Sequence, residues 1–311
     1  MAPINKVENI AIWTLPRSGS SSLMFGIRDS MKATLPQNMR VHHLWEGTGI
    51  WGILKFTENK SLWNQIDFSS VDESSTIELH YRQWTVGPAG TLKINQVIGD
   101  PRLEVENRNR ILREGKWNNA VVFKNMRWSG ESYDRVRLTR EFDQALLGSP
   151  KNFHHVILWR RNILDWLCSR YLLMKVTSPH GVHEWDGVPM GNPEKFKKKR
   201  HVRNAMRVVS EFVDSLSAIP KQKSIMIETK AINSLTELVW PTNHRLQLNV
   251  DAFKQNAGSV TYINKNTGQK VNTVDLVPAE VLEVFHEIND QIQRTHNWNE
   301  LPERHGFKSY G

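Results

Sequence analysis

The stretch from Ile10 to Met24 constrains the fold of this chain more than any other. It begins with five or six mostly apolar residues, Ile10 to Leu15, which indicate a buried β-strand. The next run, Pro16 to Ser22, contains a proline, an arginine, a glycine and four serines before apolar residues resume at helical spacing. This order predicts a strand, a tight loop and a helix start. The free N–H groups and positive dipole end of such a helix favour a phosphate or sulfate, and Arg17 adds a permanent positive charge.

Further along the chain, short apolar runs alternate with amphipathic segments. The predicted strands are Ala120–Phe123, His155–Trp159 and Ser224–Glu228, and the predicted helices are Ser21–Thr34, Leu103–Gly115, Tyr133–Leu147, Ile163–Met174, Glu194–Ile219 and Pro278–Arg294. This alternation predicts an α/β fold, a single domain over residues 1–311 with a central parallel sheet flanked by helices and a P-loop-like strand-loop-helix at its N-terminus. Ligands bind such sheets at the carboxyl ends of the strands, where we expect Arg17, Lys124 and Arg161.

The composition favours a folded protein that binds anions. The chain has 311 residues and a formal net charge of +9, which predicts affinity for nucleotides, sulfated or phosphorylated molecules, acidic polymers or nucleic acid. The single cysteine, Cys168, excludes an intramolecular disulfide and a cysteine-rich metal site. No apolar stretch is long enough to cross a bilayer, and Met1–Asn9 lacks the apolar core of a signal peptide. We therefore expect a soluble, cytoplasmic protein with no membrane span.

A second motif lies at a later strand-to-helix junction. Within His155–Leu172 the pattern R-N-x-x-D-x-x-x-S is filled by Arg161, Asn162, Asp165 and Ser169. It resembles the 3′-phosphate motif of the P-loop sulfotransferases. The N-terminal loop resembles the 5′-phosphosulfate loop of the same family, T-x-P-[KR]-S-G-[ST]-[ST], which is filled here by Thr14, Pro16, Arg17, Ser18, Gly19, Ser20 and Ser21. The Walker pattern G-x-x-x-x-G-K-[ST] is not met, which disfavours an ordinary ATPase or kinase.

The resemblance implies transfer of a sulfuryl group from 3′-phosphoadenosine 5′-phosphosulfate (PAPS) to a hydroxyl or amine, with no metal required. It implies that the backbone N–H groups of Ser18 to Ser21 hold the 5′-phosphosulfate, while Arg17 neutralises the charge of the group that leaves. It also implies that Arg161 and Ser169 hold the 3′-phosphate. A purely structural alternative for the second motif is an i, i+4 ion pair between Arg161 and Asp165.

The general base is where the chain departs from the cytosolic branch of this family. That branch has Lys-Thr-His after a central strand, and the corresponding residues here are Lys124, Asn125 and Met126. The lysine is therefore kept and the histidine is not. Other branches use a Glu in the loop after the first helix, so Glu46 is our first candidate for the base. The other candidates are His43, His42 and His80.

The acceptor half resembles the family least. Ser22 stands where the cytosolic enzymes have a Trp that stacks on adenine, and the late R-K-G-x-x-G-x-W-K element is absent. Loop-rich segments around residues 36–100, 176–193 and 241–277 are expected to shape the acceptor site. The further expectations are irregular structure over Arg40–Gly52, a strand over Thr76–His80, no assignment between Trp84 and Arg102, and a helix from Thr229 to Val239 with Thr229 as N-cap.

Two other functions stay open at this stage. A nucleotide-dependent phosphotransferase would need a carboxylate for Mg²⁺ at a strand end, for which Asp100 and Glu228 are candidates. A basic binding module without catalysis would use the cationic run near Lys197 and the tryptophans. Nucleic acid is not the partner we expect, because the two motifs indicate a nucleotide donor and an acceptor that carries a hydroxyl or amine.

Overall fold

The computed structural model describes residues 7–15, 18–37, 39, 41–44, 81–87, 90, 92–97, 101–126, 133–173, 182–185, 199–249, 261–264 and 270–311. The strands are β1 Asn9–Thr14, β2 Val41–Leu44, β3 Tyr81–Val86, β4 Leu92–Val97, β5 Ala120–Met126, β6 Phe153–Trp159, β7 Val182–Trp185, β8 Ser224–Glu228, β9 Glu237–Val239, β10 Arg245–Gln247, β11 Thr261–Asn264, β12 Lys270–Val271 and β13 Lys308–Tyr310. The α-helices are α1 Ser20–Thr34, α2 Pro101–Glu114, α3 Tyr133–Leu147, α4 Ile163–Leu173, α5 Lys199–Leu216, α6 Ala279–His296 and α7 Leu301–His305.

A six-stranded sheet in the order β13-β8-β6-β1-β5-β2 forms the centre of the molecule, and all of its neighbouring strands are parallel. Every residue of β1 and of β6 is buried, as expected for parallel strands covered on both faces. The predicted α/β fold with a central parallel sheet is therefore confirmed. Two-stranded and three-stranded sheets lie beside it, namely β3-β4, β9-β10 and β12-β11-β7.

The two faces of the sheet bury different sets of side chains. Because successive strand residues point to opposite faces, Ile10 and Ile12 of β1 pack with the apolar residues of α1, whereas Ala11 and Trp13 pack with those of α2 to α6. The α1 face also receives Trp240, whose indole N–H donates to the backbone carbonyl of His155 at 3.1 Å. The result is a three-layered α/β molecule with the sheet in the middle.

Strand β1 lies at the point where the chain changes direction across the sheet. Its neighbours are β5 on one side and β6 on the other, and β8 and β13 follow beyond β6. In open α/β sheets, the crevice beside the carboxyl ends of the strands at such a switch point is the usual place for a ligand. The loop between β1 and α1 lies at this edge.

Several predicted elements agree closely with the structure and others do not. The bounds of α3 and β8 are as predicted, and the first strand and helix differ by a residue at their ends. The irregular structure predicted over Arg40–Gly52 is wrong for Val41–Leu44, which forms the edge strand β2 beside β5. The helix predicted after Thr229 is also wrong, since Thr229–Ser234 is a 3₁₀-helix that leads into β9.

Regular structure also occurs within the segments predicted to be rich in loops. Strands β3 and β4 form an antiparallel hairpin, closed by a turn in which the N–H of Gly90 donates to the carbonyl of Gly87 at 2.8 Å. This hairpin occupies part of the region between Trp84 and Arg102 that received no assignment. Strand β7 falls within 176–193, and β10, β11 and β12 fall within 241–277. The strand predicted over Thr76–His80 lies outside the described residues.

Candidate anion-binding site

The carboxyl ends of four parallel strands form one edge of the central sheet. Thr14, the last residue of β1, is in register with Met126 of β5 and with Leu158 of β6. Trp159 at the end of β6 is in turn in register with Glu228 of β8. The segments that follow β1, β6 and β8 therefore begin at the same level of the sheet, and the two sequence motifs are brought to one edge.

The N-terminus of α1 has the properties of an anion site. Gly19 is its N-cap with φ +76°, in the left-handed region, and supplies no side-chain cap. The first helical hydrogen bond at this end runs from the N–H of Leu23 to the carbonyl of Gly19 at 3.2 Å, so the N–H groups of the first turn have no intrahelical acceptor. Ser18, just before the cap, is 0% exposed, and its hydroxyl has no hydrogen-bond partner among the described residues.

Thr229 connects the loop before α1 to the neighbouring strand ends. Its hydroxyl lies 3.2 Å from the carbonyl oxygen of Ser18 and 2.9 Å from that of Trp159. The same segment approaches Gly19 closely, because a Cβ at Gly19 would lie 3.3 Å from Cδ1 of Ile232. The 3₁₀-helix after β8 thus packs against Ser18 and Gly19, and the positive φ angle of Gly19 favours a glycine there.

Two neighbouring arginines at the start of the second motif, Arg160 and Arg161, have different partners. Asp165 forms an ion pair with Arg160, and its other carboxylate oxygen accepts a hydrogen bond from the hydroxyl of Thr273 at 2.5 Å. The alternative ion pair between Arg161 and Asp165 is therefore wrong. The guanidinium of Arg161 instead lies 5.6 Å from the centroid of the Trp159 ring, and among the described residues it forms no ion pair.

Arg161 lines a polar cleft of about 320 Å³ at the ends of β6 and β8. The other charged residues of the cleft are Lys230, which is exposed, and Glu228. Carboxamides complete the wall, namely those of Asn162, Asn289, Gln293 and Asn299. Every described residue that lines the cleft therefore has a polar or charged side chain, and the two cations outnumber the one carboxylate.

Lys124 and Ser169 were also predicted at the site, and both are buried. Lys124 is 3% exposed and lies on the α1 face of β5, because it alternates with Phe123 and is in register with Ile12. The next residue, Asn125, donates to Asp143 at 2.8 Å on the opposite face. Ser169 is 6% exposed on α4 and is not among the described residues that line the cleft beside Arg161.

The other predicted site residues are described in part or not at all. Arg17, Glu46, Asp100 and Lys197 lie outside the described residues. Ser20 and Ser21 occupy the first turn of α1. His43 lies on β2, where its backbone is in register with Val122, so it belongs to a strand and not to a loop.

Two buried histidines lie toward the amino end of β6, away from the strand ends described above. Nδ1 of His155 accepts a hydrogen bond from the indole N–H of Trp13 at 3.0 Å, and burial, then the neighbouring His154 and Lys223, lower the pKa of His155 to about 3. Burial, then His244 and Lys223, lower the pKa of His154 to about 4. Burial and the adjacent Asp165 raise the pKa of Cys168 to about 12, so its thiolate is not available as a nucleophile.

Sequence reasoning missed three contributors to this edge. It assigned Thr229 to a helix cap, although a polar residue directly after an apolar strand also fits the strand-end rule for α/β sheets. Lys230 carries no local signal, because a single lysine in a short segment is ordinary. The carboxamides of Asn289, Gln293 and Asn299 come from the C-terminal helix region, and only the packing of α6 brings them to the cleft.

The fold and this edge define a three-layered α/β protein in which a short loop joins the central strand to a helix with an open N-terminus. Comparison of the chain with protein-family models, with curated proteins and with solved structures finds no match. Within the described ranges, no helix combines the length and apolar character that crossing a bilayer requires. The same part of the chain contains no group of three His, Cys, Asp or Glu side chains placed to hold a metal ion.

Proposed function

We propose that the protein is a sulfotransferase that moves a sulfuryl group from PAPS to a hydroxyl or amine. The observation that carries the proposal is the open N-terminus of α1, preceded by the buried hydroxyl of Ser18 that has no described partner. A buried hydroxyl without a partner costs about 1–3 kcal/mol. An anionic oxygen of the donor, held at the N–H groups of Gly19, Ser20 and Ser21, would accept that hydrogen bond and remove the cost.

The second support is the position of Arg161 at the end of the neighbouring strand. β1 and β6 are adjacent, so the loop before α1 and the Arg161 cleft follow neighbouring strand ends. Two anion sites on adjacent strands suit a nucleotide with phosphate groups at both ends of its ribose. PAPS has such a pair, and ATP does not.

The chemistry asked of these residues is positioning and charge stabilisation. The acceptor oxygen or nitrogen forms a bond to sulfur, the bond from sulfur to the 5′-phosphate oxygen breaks, and adenosine 3′,5′-bisphosphate leaves. The α1 N-terminus and Arg17 would stabilise negative charge as it develops on the 5′-phosphate, with buried Lys124 on the α1 face of the sheet as a further cation. The acceptor's proton would pass to a base, for which Glu46 is the first candidate and His43 the next.

The decisive experiment is thermal unfolding with adenosine 3′,5′-bisphosphate and, in parallel, with ADP. Saturation at a hundredfold excess over Kd adds about 2.7 kcal/mol to the free energy of unfolding, so a clear rise in Tm is expected with the bisphosphate and a much smaller rise with ADP. Equal responses to the two nucleotides would contradict the donor assignment. An acceptor screen with sulfur-labelled PAPS, using sugars, phenols and amines, would then identify the substrate.

A nucleotide-dependent phosphotransferase is the second candidate function, favoured by one observation. Glu228, at the end of β8, lines the same cleft as Arg161 and is a carboxylate at a strand end. Such a residue could hold Mg²⁺ beside a nucleotide phosphate. This function predicts that Mg²⁺ strengthens ATP binding and that Glu228→Gln abolishes the effect, whereas the sulfotransferase predicts no Mg²⁺ dependence of bisphosphate binding.

A further inference from the structure

The described residues that line the cleft beside Arg161 do not include both of the residues that the second motif predicts for the 3′-phosphate. The motif pairs Arg161 with Ser169, yet Ser169 is 6% exposed and is not among the described lining residues. Asp165, on the same helix, is taken up by Arg160 and Thr273. The side chain that shares the cleft with Arg161 and carries a positive charge is Lys230.

We propose that Lys230, and not Ser169, completes the site at which Arg161 binds the 3′-phosphate of the nucleotide. This inference rests on the proposed function. Lys230 follows Thr229 directly, and Thr229 is tied to the carbonyls of Ser18 and Trp159. The backbone that carries Lys230 is therefore held to the two neighbouring strand ends, so the flexible side chain starts from a fixed position.

The guanidinium of Arg161 is prepared for an anion in two ways. Its stacking on Trp159, at 5.6 Å from the ring centroid, limits its orientation. Asp165 pairs with Arg160, and no described carboxylate forms an ion pair with Arg161, although Glu228 lines the same cleft. A planar guanidinium that is oriented and not engaged in an ion pair is suited to a two-point contact with a phosphate.

Two of the four carboxamides of the cleft, those of Asn162 and Asn299, have NH₂ groups without an acceptor among the described residues, whereas Asn289 donates to Asp290 and Gln293 to Asn299. Asn162 uses its carbonyl oxygen to cap α4, accepting from the N–H of Asp165 at 3.0 Å. Asn299 uses its carbonyl oxygen to accept from Gln293 at 3.2 Å. Each NH₂ group is therefore available to an oxygen in the cleft. Two cations and these NH₂ groups, set against the single carboxylate of Glu228, favour a phosphate over a neutral sugar.

The test compares three variants of the full chain with adenosine 3′,5′-bisphosphate and with AMP, which lacks the 3′-phosphate. We expect Lys230→Gln to weaken bisphosphate binding about tenfold and to leave AMP binding within about twofold, because a charge-assisted contact to one phosphate is lost. Ser169→Ala should change neither affinity by more than about twofold. Lys116→Gln is the matched control, since the Lys116 side chain is 77% exposed and distant in sequence from every cleft residue.

Three other outcomes would overturn the inference about Lys230, its assignment to the 3′-phosphate, or the proposed function. A loss of bisphosphate affinity in Ser169→Ala but not in Lys230→Gln would overturn the inference and leave the proposed function standing. An equal loss of AMP and bisphosphate affinity in Lys230→Gln would overturn the assignment of Lys230 to the 3′-phosphate. If neither nucleotide binds the unaltered protein, the proposed function fails, and this inference fails with it.

Discussion

The hydroxyl of Thr229 lies 3.2 Å from the carbonyl oxygen of Ser18, in a loop more than two hundred residues earlier in the chain. It also lies 2.9 Å from the carbonyl oxygen of Trp159. A hydroxyl has one proton, so the two carbonyls share it. This single side chain joins the segments that follow β1, β6 and β8, and the shape of the candidate anion loop depends on it.

Replacing Thr229 with valine should loosen this junction. Thr229→Val keeps the shape of the side chain but leaves two buried carbonyls without their donor, so we expect a loss of about 1–2 kcal/mol in the free energy of unfolding. Bisphosphate affinity should fall about fivefold because the loop is less ordered. Urea unfolding and nucleotide titration measure the two effects. Thr229→Ser, which keeps the hydroxyl, is the control, and equal nucleotide binding by the valine and serine variants would show that other contacts hold the loop.

Gly19 and Gly306 offer a matched pair for testing the loop. Both have positive φ, +76° and +66°, so an alanine at either position costs about 1 kcal/mol of backbone strain. A Cβ at Gly19 also lies 3.3 Å from Cδ1 of Ile232, so the side chain of Ile232 has to shift slightly, whereas a Cβ at Gly306 faces only the end of Lys221 at 3.5 Å.

We therefore expect Gly19→Ala to reduce bisphosphate affinity at least tenfold and Gly306→Ala to leave it unchanged. Both variants should lose comparable stability in urea unfolding. If Gly19→Ala binds the nucleotide as the unaltered chain does, the loop before α1 is not the anion site.

Arg160 and Arg161 are adjacent in sequence, but we expect Arg160 to contribute to stability and Arg161 to ligand binding. Arg160→Ala removes the partner of the partly buried Asp165, so we expect a loss of roughly 1–2 kcal/mol in stability. Arg161→Ala removes an exposed side chain that forms no ion pair within the described part of the chain, and the free energy of unfolding should change by about 0.5 kcal/mol or less. Calorimetry with and without bisphosphate should show the reverse order for ligand binding, with Arg161→Ala the weaker binder. If one of the two variants shows the larger loss both in stability and in bisphosphate affinity, the assignment of separate roles to Arg160 and Arg161 is contradicted.

The buried histidines predict a dependence of stability on pH. Folding lowers the pKa of His154 from 6.5 to about 4, so the neutral ring is favoured in the folded state and the unfolded chain binds more protons between these values. The stabilisation is complete above pH 6.5 and is lost as the pH falls toward 4, at up to about 1.4 kcal/mol per pH unit for each such group. His155, with a pKa of about 3, adds a second contribution of the same sign.

The variant His154→Leu should reduce this dependence, measured by urea unfolding at pH 7, 6 and 5. The ring nitrogens of His154 have no described hydrogen-bond partner, so leucine removes the titrating group without breaking a bond. His286→Leu, at an exposed position on α6, is the control that should keep the original slope. An unchanged slope in His154→Leu would show that other groups dominate this pH range.

The sequence predicted the fold well wherever local pattern decides it. The N-terminal unit is determined by the apolar run of β1, the small residues before α1 and the helical spacing after them. The strand and the helix of this unit are as predicted. Strand β2 was missed because it has four residues, V-H-H-L, with two polar residues in the middle. Such a strand is stabilised mainly by pairing with β5, which local periodicity cannot show.

The site was predictable only in part, because its contacts are long-range. Asp165 is four residues from Arg161, the spacing of an ion pair on a helix, and five from Arg160. Both arginines precede the first residue of α4, so this spacing rule does not decide between them, and the structure shows that the ion pair forms with Arg160. Thr229 has a good N-cap side chain, but its hydroxyl bonds to two other segments and no α-helix follows. The cleft depends on α6 packing beside the ends of β6 and β8, which no local motif encodes.

The central position of β1 also has a consequence for the newly made chain. Asn9 is in register with Val121 and with Phe153, so β1 leaves the ribosome before its neighbours and has no permanent partner until β5 and then β6 have been synthesised. During that interval both edges of a strand with four consecutive apolar residues, Ile10 to Trp13, are open to pairing with other chains. We expect the young polypeptide to depend on chaperones up to this point, and to complete its candidate anion site only after β8 and Thr229 have joined the sheet.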